Sequence, residues 1–264
     1  MPFLNCSKGF DLCKPLHNPL VLPGTYSDSF QIPNHECIEV AVFHEHRFAF
    51  SFWSKWLKNF NYEDIKGIRP ALITLDHHSD LCPPDLPGLD HLNINDFSSF
   101  EKESDIALFS WAKLNSLNDS HILSAAYLNL ISDIYVICDE TNIDPTDTSF
   151  IDKFGLHHSI ECFPSIDNFL ANKSNNPEQI YFDIDLDFFT KTCNDNDNDI
   201  ELIPDKDIIN NLNPNSELMK FILPRTHGIT IALEPSHCGG LRNSHHLYKI
   251  VEQSLFGKPL NFRY

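Results

Sequence analysis

Basic residues are scarce in this chain. Nineteen Lys and Arg stand against 37 Asp and Glu in 264 residues, giving a formal net charge of −18. Such a surface repels phosphate backbones and anionic lipid, so neither nucleic acid nor a membrane surface is expected as the main partner. No stretch approaches the roughly 18 consecutive apolar residues that a membrane span requires. The opening MPFLNCSKGFDLCKP has no basic segment followed by an apolar one, so no secretory signal is read there. The eight cysteines include no C-x2-C pair and no zinc-finger spacing. Several sit in apolar runs, as Cys138 does in IYVIC, where a reduced thiol behaves as a small hydrophobe. A reducing, cytoplasmic setting is the expectation. Solenoid-type repeats are also missing.

Apolar material is plentiful. The chain is 42% hydrophobic with 21 Phe, enough for a sizeable core and too much for a disordered protein. Residues 1–36 show no sustained periodicity and read as an irregular lead-in to a single domain spanning 1–264. IEVAVF (38–43), ALITL (71–75), SDIYVIC (132–138), QIYFDI (179–184) and GITIAL (228–233) read as buried strands. From Ala49, apolar residues recur at Phe52, Trp53, Trp56, Leu57 and Phe60, the spacing of one helix face. PPDLPGLDHLN reads as a Pro/Gly loop. Two helical patterns over 100–131 break near Asn118-Asp119-Ser120, and LRNSHHLYKIVEQSL (241–255) reads as a closing helix. Strands alternating with helices predict an α/β fold, a three-layer αβα sandwich around a mostly parallel sheet.

In such sheets ligands gather beyond the carboxyl ends of the strands. Three of the strand candidates run directly into His/Asp/Glu clusters. Asp76-His77-His78-Ser79-Asp80 follows ALITL; in extended backbone Asp76, His78 and Asp80 project to one side. In FDIDLD, Asp183 and Asp185 are likewise one pleat period apart, and His44-Glu45-His46 adds an imidazole at a third strand end. Taken singly, each cluster reads as a solvated loop; taken together, they predict a metal site. Asp76, Asp80, Asp183 and Asp185 carry four negative charges, which balance two divalent cations. Oxygen-rich donors with two imidazoles suit Mn2+ better than zinc. Two such ions activate water for hydrolysis at neutral pH.

The order of these motifs resembles the arginase-like ureohydrolases and the wider arginase/deacetylase fold. LITLDHHSDL, YFDIDLDFF and TIALEPSHCGG look closer to a branch of that fold that includes the peptide arginases. Those enzymes convert arginine side chains in ribosomally made precursor peptides to ornithine and release urea. The resemblance implies that Asp76 and Asp183 bridge two ions, with His46 and Asp80 completing one sphere and His78 and Asp185 the other. Asp187 would orient these ligands, as would Glu45, which stands where the family often has Asp. His44 and His77 receive no metal role.

Glu234, after GITIAL, looks like the glutamate that grips the substrate guanidinium. The leaving amine needs a proton, and His121, His237 and His91 are the candidate donors among 14 histidines, with His121 ranked first. The chain departs from free-arginine arginases in having DHHSD for D-A-H-x-D. Their loop for the α-amino and α-carboxylate groups has no counterpart after Asp80, which favours a peptide as the partner. The rival readings are an amide or acetyl-lysine-type deacylase of the same fold and a non-catalytic, metal-stabilised binder of basic peptides. The acidic NDNDND run (194–199) lacks the Gly and Glu of an EF-hand loop.

Overall fold

Strands that are covered on both faces need apolar residues at every position, and this requirement marks the middle of the sheet. In the computed structural model β3 (Ala71–Leu75), β4 (Ile134–Ile137) and β7 (Ile180–Asp185) are buried throughout. With β2 (Cys37–Phe43), β6 (His157–Phe163) and β10 (Thr226–Ala232) they form six parallel strands in the order β2-β10-β7-β3-β4-β6. Antiparallel strands close both edges: β1 (Tyr26–Gln31) beside β2, and β5 (Ser149–Ile151) beside β6. A separate ribbon pairs β8 (Thr190–Thr192) with β9 (Ile200–Leu202). The structure describes residues 22, 24–31, 37–57, 67–94, 103–114, 117–138, 149–192 and 200–260. Cys6, Cys13, Phe60 and the NDNDND run lie outside them.

Helices cover both faces, so the architecture is α/β with three layers. One core joins α1 (Ala49–Leu57), α2 (Leu86–Ile94), α3 (Glu103–Ala112) and α4 (His121–Tyr127) to Ala41, Leu72, Val136 and Tyr181 of the sheet. The second joins α5 (Ile166–Asn172), α6 (Asp205–Leu212), α7 (Glu217–Ile222) and α8 (Leu241–Phe256) to Val40, Ile73, Phe182 and Ile231. After β3 the chain passes to the first helical layer, and after β7 to the second. These adjacent strands therefore form a topological switch point, and a crevice opens beyond their carboxyl ends. Among the described residues no helix is long and apolar enough to cross a membrane.

The expected strands and closing helix are present, but three expectations need correction. The lead-in is not wholly irregular, because Tyr26–Gln31 forms β1; as an edge strand with one open side it has no need of an apolar run. Eight of the eleven residues of the proposed Pro/Gly loop, Leu86 to Asn93, are in helix α2. Asp85 starts it by accepting the Gly88 N–H at 2.7 Å on its side chain, and Pro87 falls in the first turn, where a missing N–H costs nothing. HHSIECF, not predicted as a strand, is β6; its mixed residues suit a strand beside an edge. Gly239 and Gly240, at φ 75° and 105°, turn the chain into α8, where His245 and His246 are exposed.

Candidate metal centre

Asp183 shows how the sheet builds the site. It is paired in register with Thr74 of β3 on one side and Thr230 of β10 on the other, so the three side chains stand in one row. Thr74 donates its hydroxyl to Asp183 Oδ2 at 2.8 Å, and Thr230 donates to Oδ1. All three residues are fully buried. Each threonine follows an Ile as the polar residue of an apolar strand run, in ALITL and in GITIAL, which is the sequence signal that could have found them.

One pleat period further along β7, Asp185 reaches the strand end and the chain tightens into a 3-10 turn, Leu186–Phe189. Asp185 Oδ1 accepts the Asp187 N–H at 3.1 Å, which brings Asp187 round into the crevice. Beyond β3, Asp76 Oδ1 accepts the His78 N–H at 2.8 Å, and Asp187 Oδ1 accepts the His77 N–H at 3.1 Å. Asp80 completes the DHHSD loop from a left-handed backbone position, φ 51°. Sheet ends and tight turns thus gather four carboxylates.

His46 lies at their centre. It opens a 3-10 turn after β2 and is wholly buried. Its Nδ1 lies 3.0 Å from Asp80 Oδ2 and 3.2 Å from one oxygen each of Asp76 and Asp185. Its Nε2 faces the other way, 2.6 Å from Asp183 Oδ2. A second group stands alongside: His78 Nδ1 is 3.2 Å from Asp187 Oδ2 and 4.0 Å from Asp76 Oδ1. The His237 ring lies 5.6 Å from that of His78, and the donor atoms of His78, Asp187 and His237 fall within 4.8 Å of one another. A cleft of about 260 Å³ exposes Asp76, His78, Asp80, Asp185 and Asp187.

The electrostatics are those of a cation site. Burial pushes the carboxyls of Asp76, Asp80 and Asp185 above the usual range, and neighbouring carboxylates add to the rise at Asp76 and Asp185. Burial opposes a charge on His46, but Asp183 overrides it and raises the imidazole well above its ordinary value. The hydrogen bond to Asp187 raises His78 to about 9. Burial would raise Asp183 and Asp187, yet His46 and His78 respectively hold them below the usual carboxylate range. Packed this closely, the cluster keeps protons that a divalent cation would replace. Asp76 Oδ2 is buried and faces His46 Nδ1 at 3.2 Å, an arrangement that fits a cation between them.

Not every expected residue joins the group. Asp183 was expected to bridge two ions, but both its oxygens are engaged by His46, Thr74 and Thr230. It stands behind His46, one pleat deeper than Asp185. Glu45, expected to orient the ligands, lies beyond the end of β2 with its side chain 42% exposed and paired with Arg47. His121 is buried between His46 and Trp53, with ring centres 4.3 and 5.6 Å away. Its Nδ1–H donates to the Asn118 carbonyl at 2.8 Å, and burial lowers its proton affinity well below the ordinary value. His121 is not among the residues that line the cleft, whereas His237 is, but a ring nitrogen of His121 falls within 4.8 Å of donor atoms of His46 and Asp80. The side chain of His91, on α2, lies outside the described residues. His44 offers its carbonyl to the Glu234 N–H, and His77 its N–H to Asp187.

No protein-family model matches the chain, and no curated protein matches it. The mostly parallel eight-stranded sheet and its buried His/Asp cluster are consistent with the arginase/deacetylase fold. The cluster is a possible metal site in an α/β protein.

Glu234 borders the same cleft from beyond β10. It is 3% exposed and occupies a left-handed position, φ 33°. Its Oε1 accepts the His46 backbone N–H at 2.6 Å and the Asn118 side-chain N–H at 2.5 Å. Burial raises its carboxyl, and the His46 N–H opposes that rise. Asn118, which the sequence marks only as part of a helix break, is thus tied to the site through Glu234.

Proposed function

We propose that this protein is a dimanganese hydrolase that cleaves the guanidinium C–N bond of arginine side chains in a peptide, leaving ornithine and releasing urea. The observation that carries the reading is Glu234, a buried carboxylate on the rim of a carboxylate-imidazole cluster, with no Lys or Arg pairing it among the described residues. A cationic ligand group is its natural complement. Among the described residues that line the cleft there is no Lys or Arg to pair the α-carboxylate of a free amino acid, which favours a peptide.

One ion would be held by His46, Asp76, Asp80 and Asp185, and the other by Asp76, His78, Asp185 and Asp187. The aspartate pair is thus shifted one pleat period from the expected Asp183 and Asp185, and the balance of four negative charges is kept. Bound there, two divalent ions supply Lewis-acid activation of water. Asp183 holds the proton on His46 Nε2, which leaves the Nδ1 lone pair for an ion. Glu234 takes the guanidinium and sets its carbon over the cluster. Hydrolysis joins a water oxygen to that carbon, and the C–N bond to the side chain breaks. His237, at the open cleft wall, donates the proton with which the amine nitrogen departs.

The test is mass spectrometry of a terminally blocked arginine peptide incubated with Mn2+ and the full chain. A product lighter by the amidino carbon and its two nitrogens, with one urea per peptide, supports the reading. An unchanged arginine peptide, or release of acetyl from an acetyl-lysine peptide that survives Glu234→Gln, overturns it.

A further inference from the structure

Among the described residues four non-glycine positions have left-handed φ, and three of them, Asp80, Asn118 and Glu234, border the same cleft. Such backbone costs energy and persists where surrounding contacts impose it. Asn118 (φ 62°) and Glu234 (φ 33°) come from different elements, one ahead of α4 and the other beyond β10, and meet through their side chains. Their contact has an unusual distribution of hydrogen bonds.

Both bonds that Glu234 accepts fall on one oxygen. Oε1 takes the His46 N–H at 2.6 Å and the Asn118 amide N–H at 2.5 Å, which uses its two lone pairs. Oε2 is left for a ligand. A carboxylate held in this way offers one oxygen, so the two-oxygen grip on a guanidinium is not available from Glu234 alone.

The orientation of the Asn118 amide follows from the same contact. Turning it over would set its carbonyl oxygen against the carboxylate, so the amino group must face Glu234. Asn118 Oδ1 therefore points away from Glu234. It is buried and has no hydrogen-bond partner among the described residues. A buried acceptor without a donor is a standing cost, removed when a ligand supplies the donor.

We infer that Asn118 determines ligand specificity, its Oδ1 acting with Glu234 Oε2 as a pair of acceptors for a planar cation with N–H donors on separate nitrogens. The assignment rests on the guanidinium reading above and adds the second acceptor that reading lacks. A guanidinium or amidinium spreads its donors over a rigid fork, whereas an ammonium concentrates them on one compact nitrogen. The pair therefore selects the fork over the point charge. The His46 N–H still holds Glu234 Oε1 when the Asn118 amide is absent, so the part left to Asn118 is to read the ligand.

The test compares two terminally blocked peptides, identical except that one carries an amidinium side chain and the other a lysine. An amidinium has the planar pair of N–H2 groups but cannot release urea, so equilibrium binding is read without that turnover. With the Mn2+-loaded full chain, fluorescence anisotropy is expected to give at least roughly tenfold tighter binding of the amidinium peptide. Asn118→Gly suits the left-handed backbone and removes only the amide. It should keep the metal content and melting temperature while weakening the amidinium peptide roughly ten- to hundredfold. Binding of the lysine peptide should stay within about twofold, so the preference collapses. A purely structural role would weaken both peptides together, and that result overturns the assignment. So does an unchanged preference in Asn118→Gly, or no preference in the unaltered chain. Selective amidinium binding that depends on Asn118, without urea from an arginine peptide, overturns the reaction and leaves this assignment standing.

Discussion

His46 Nε2 lies 2.6 Å from Asp183 Oδ2, on the opposite edge of the ring from the three carboxylates that surround Nδ1. The ring thus spans one pleat period of β7, with Asp183 at the deeper edge and Asp185 at the strand end. A carboxylate behind an imidazole fixes its tautomer and raises its basicity as a ligand.

Asp183→Asn should therefore leave metal stoichiometry unchanged and weaken affinity by roughly ten- to hundredfold, the usual cost of losing a carboxylate behind a histidine ligand. Asp185→Asn should lower the stoichiometry itself. Metal analysis after dialysis against graded chelator separates the two. Equal metal loss in both variants would place Asp183 among the ligands.

Metal uptake should release protons and strengthen as pH rises. Asp76, Asp80, Asp185, His46 and His78 all hold protons above their ordinary values, so each must lose one to ligate, and all five act in the same direction. His78, at about 9, extends the dependence through neutral pH towards the alkaline side. Calorimetry in two buffers of different ionisation enthalpy measures the release. The gain in melting temperature on adding Mn2+ should be larger at high than at low pH. A pH-independent gain would sink this account of the charges.

Glu45→Gln should leave metal content untouched. Its carboxylate is 42% exposed but directed at Arg47, which is buried and loses its charged partner, so thermal stability should fall while the metal is spared. A drop in bound metal would show that the residue orients the site after all.

Gly228→Ala tests the packing beneath the site. A Cβ there would meet two atoms of the Trp56 ring at 2.4 Å, inside any real contact. Trp56 is buried under α1 against the sheet and cannot retreat without repacking. The substitution should cost about 1–3 kcal/mol in urea unfolding, the range for forced overpacking. An unchanged midpoint would mean that the indole moves freely.

The residues alone determine the middle of this fold and the places where its chemistry gathers. ALITL, IYVI and QIYFDI are apolar at most positions because both faces of those strands are covered, and a run of that kind is legible without a structure. The polar clusters that end such runs mark the carboxyl edge of the sheet for the same reason. Edge strand β1 and helix α2 were illegible. An open strand edge imposes little pattern, and Pro and Gly signal a loop unless the Asp85 cap is seen in place.

Only the tertiary structure decides which carboxylate does what. Asp183, Asp185 and Asp187 share one alternation in sequence, but β7 stops at Asp185, and the turn that follows rotates Asp187 into the cleft. Asp183 stays within the sheet, where Thr74 and Thr230 come from strands far apart in the chain and meet it by register. The link from Asn118 to Glu234 spans 116 residues and depends on two left-handed turns that no local pattern announces. Composition and period fix the environment that a side chain needs; the depth at which it ends up is a property of the packed sheet.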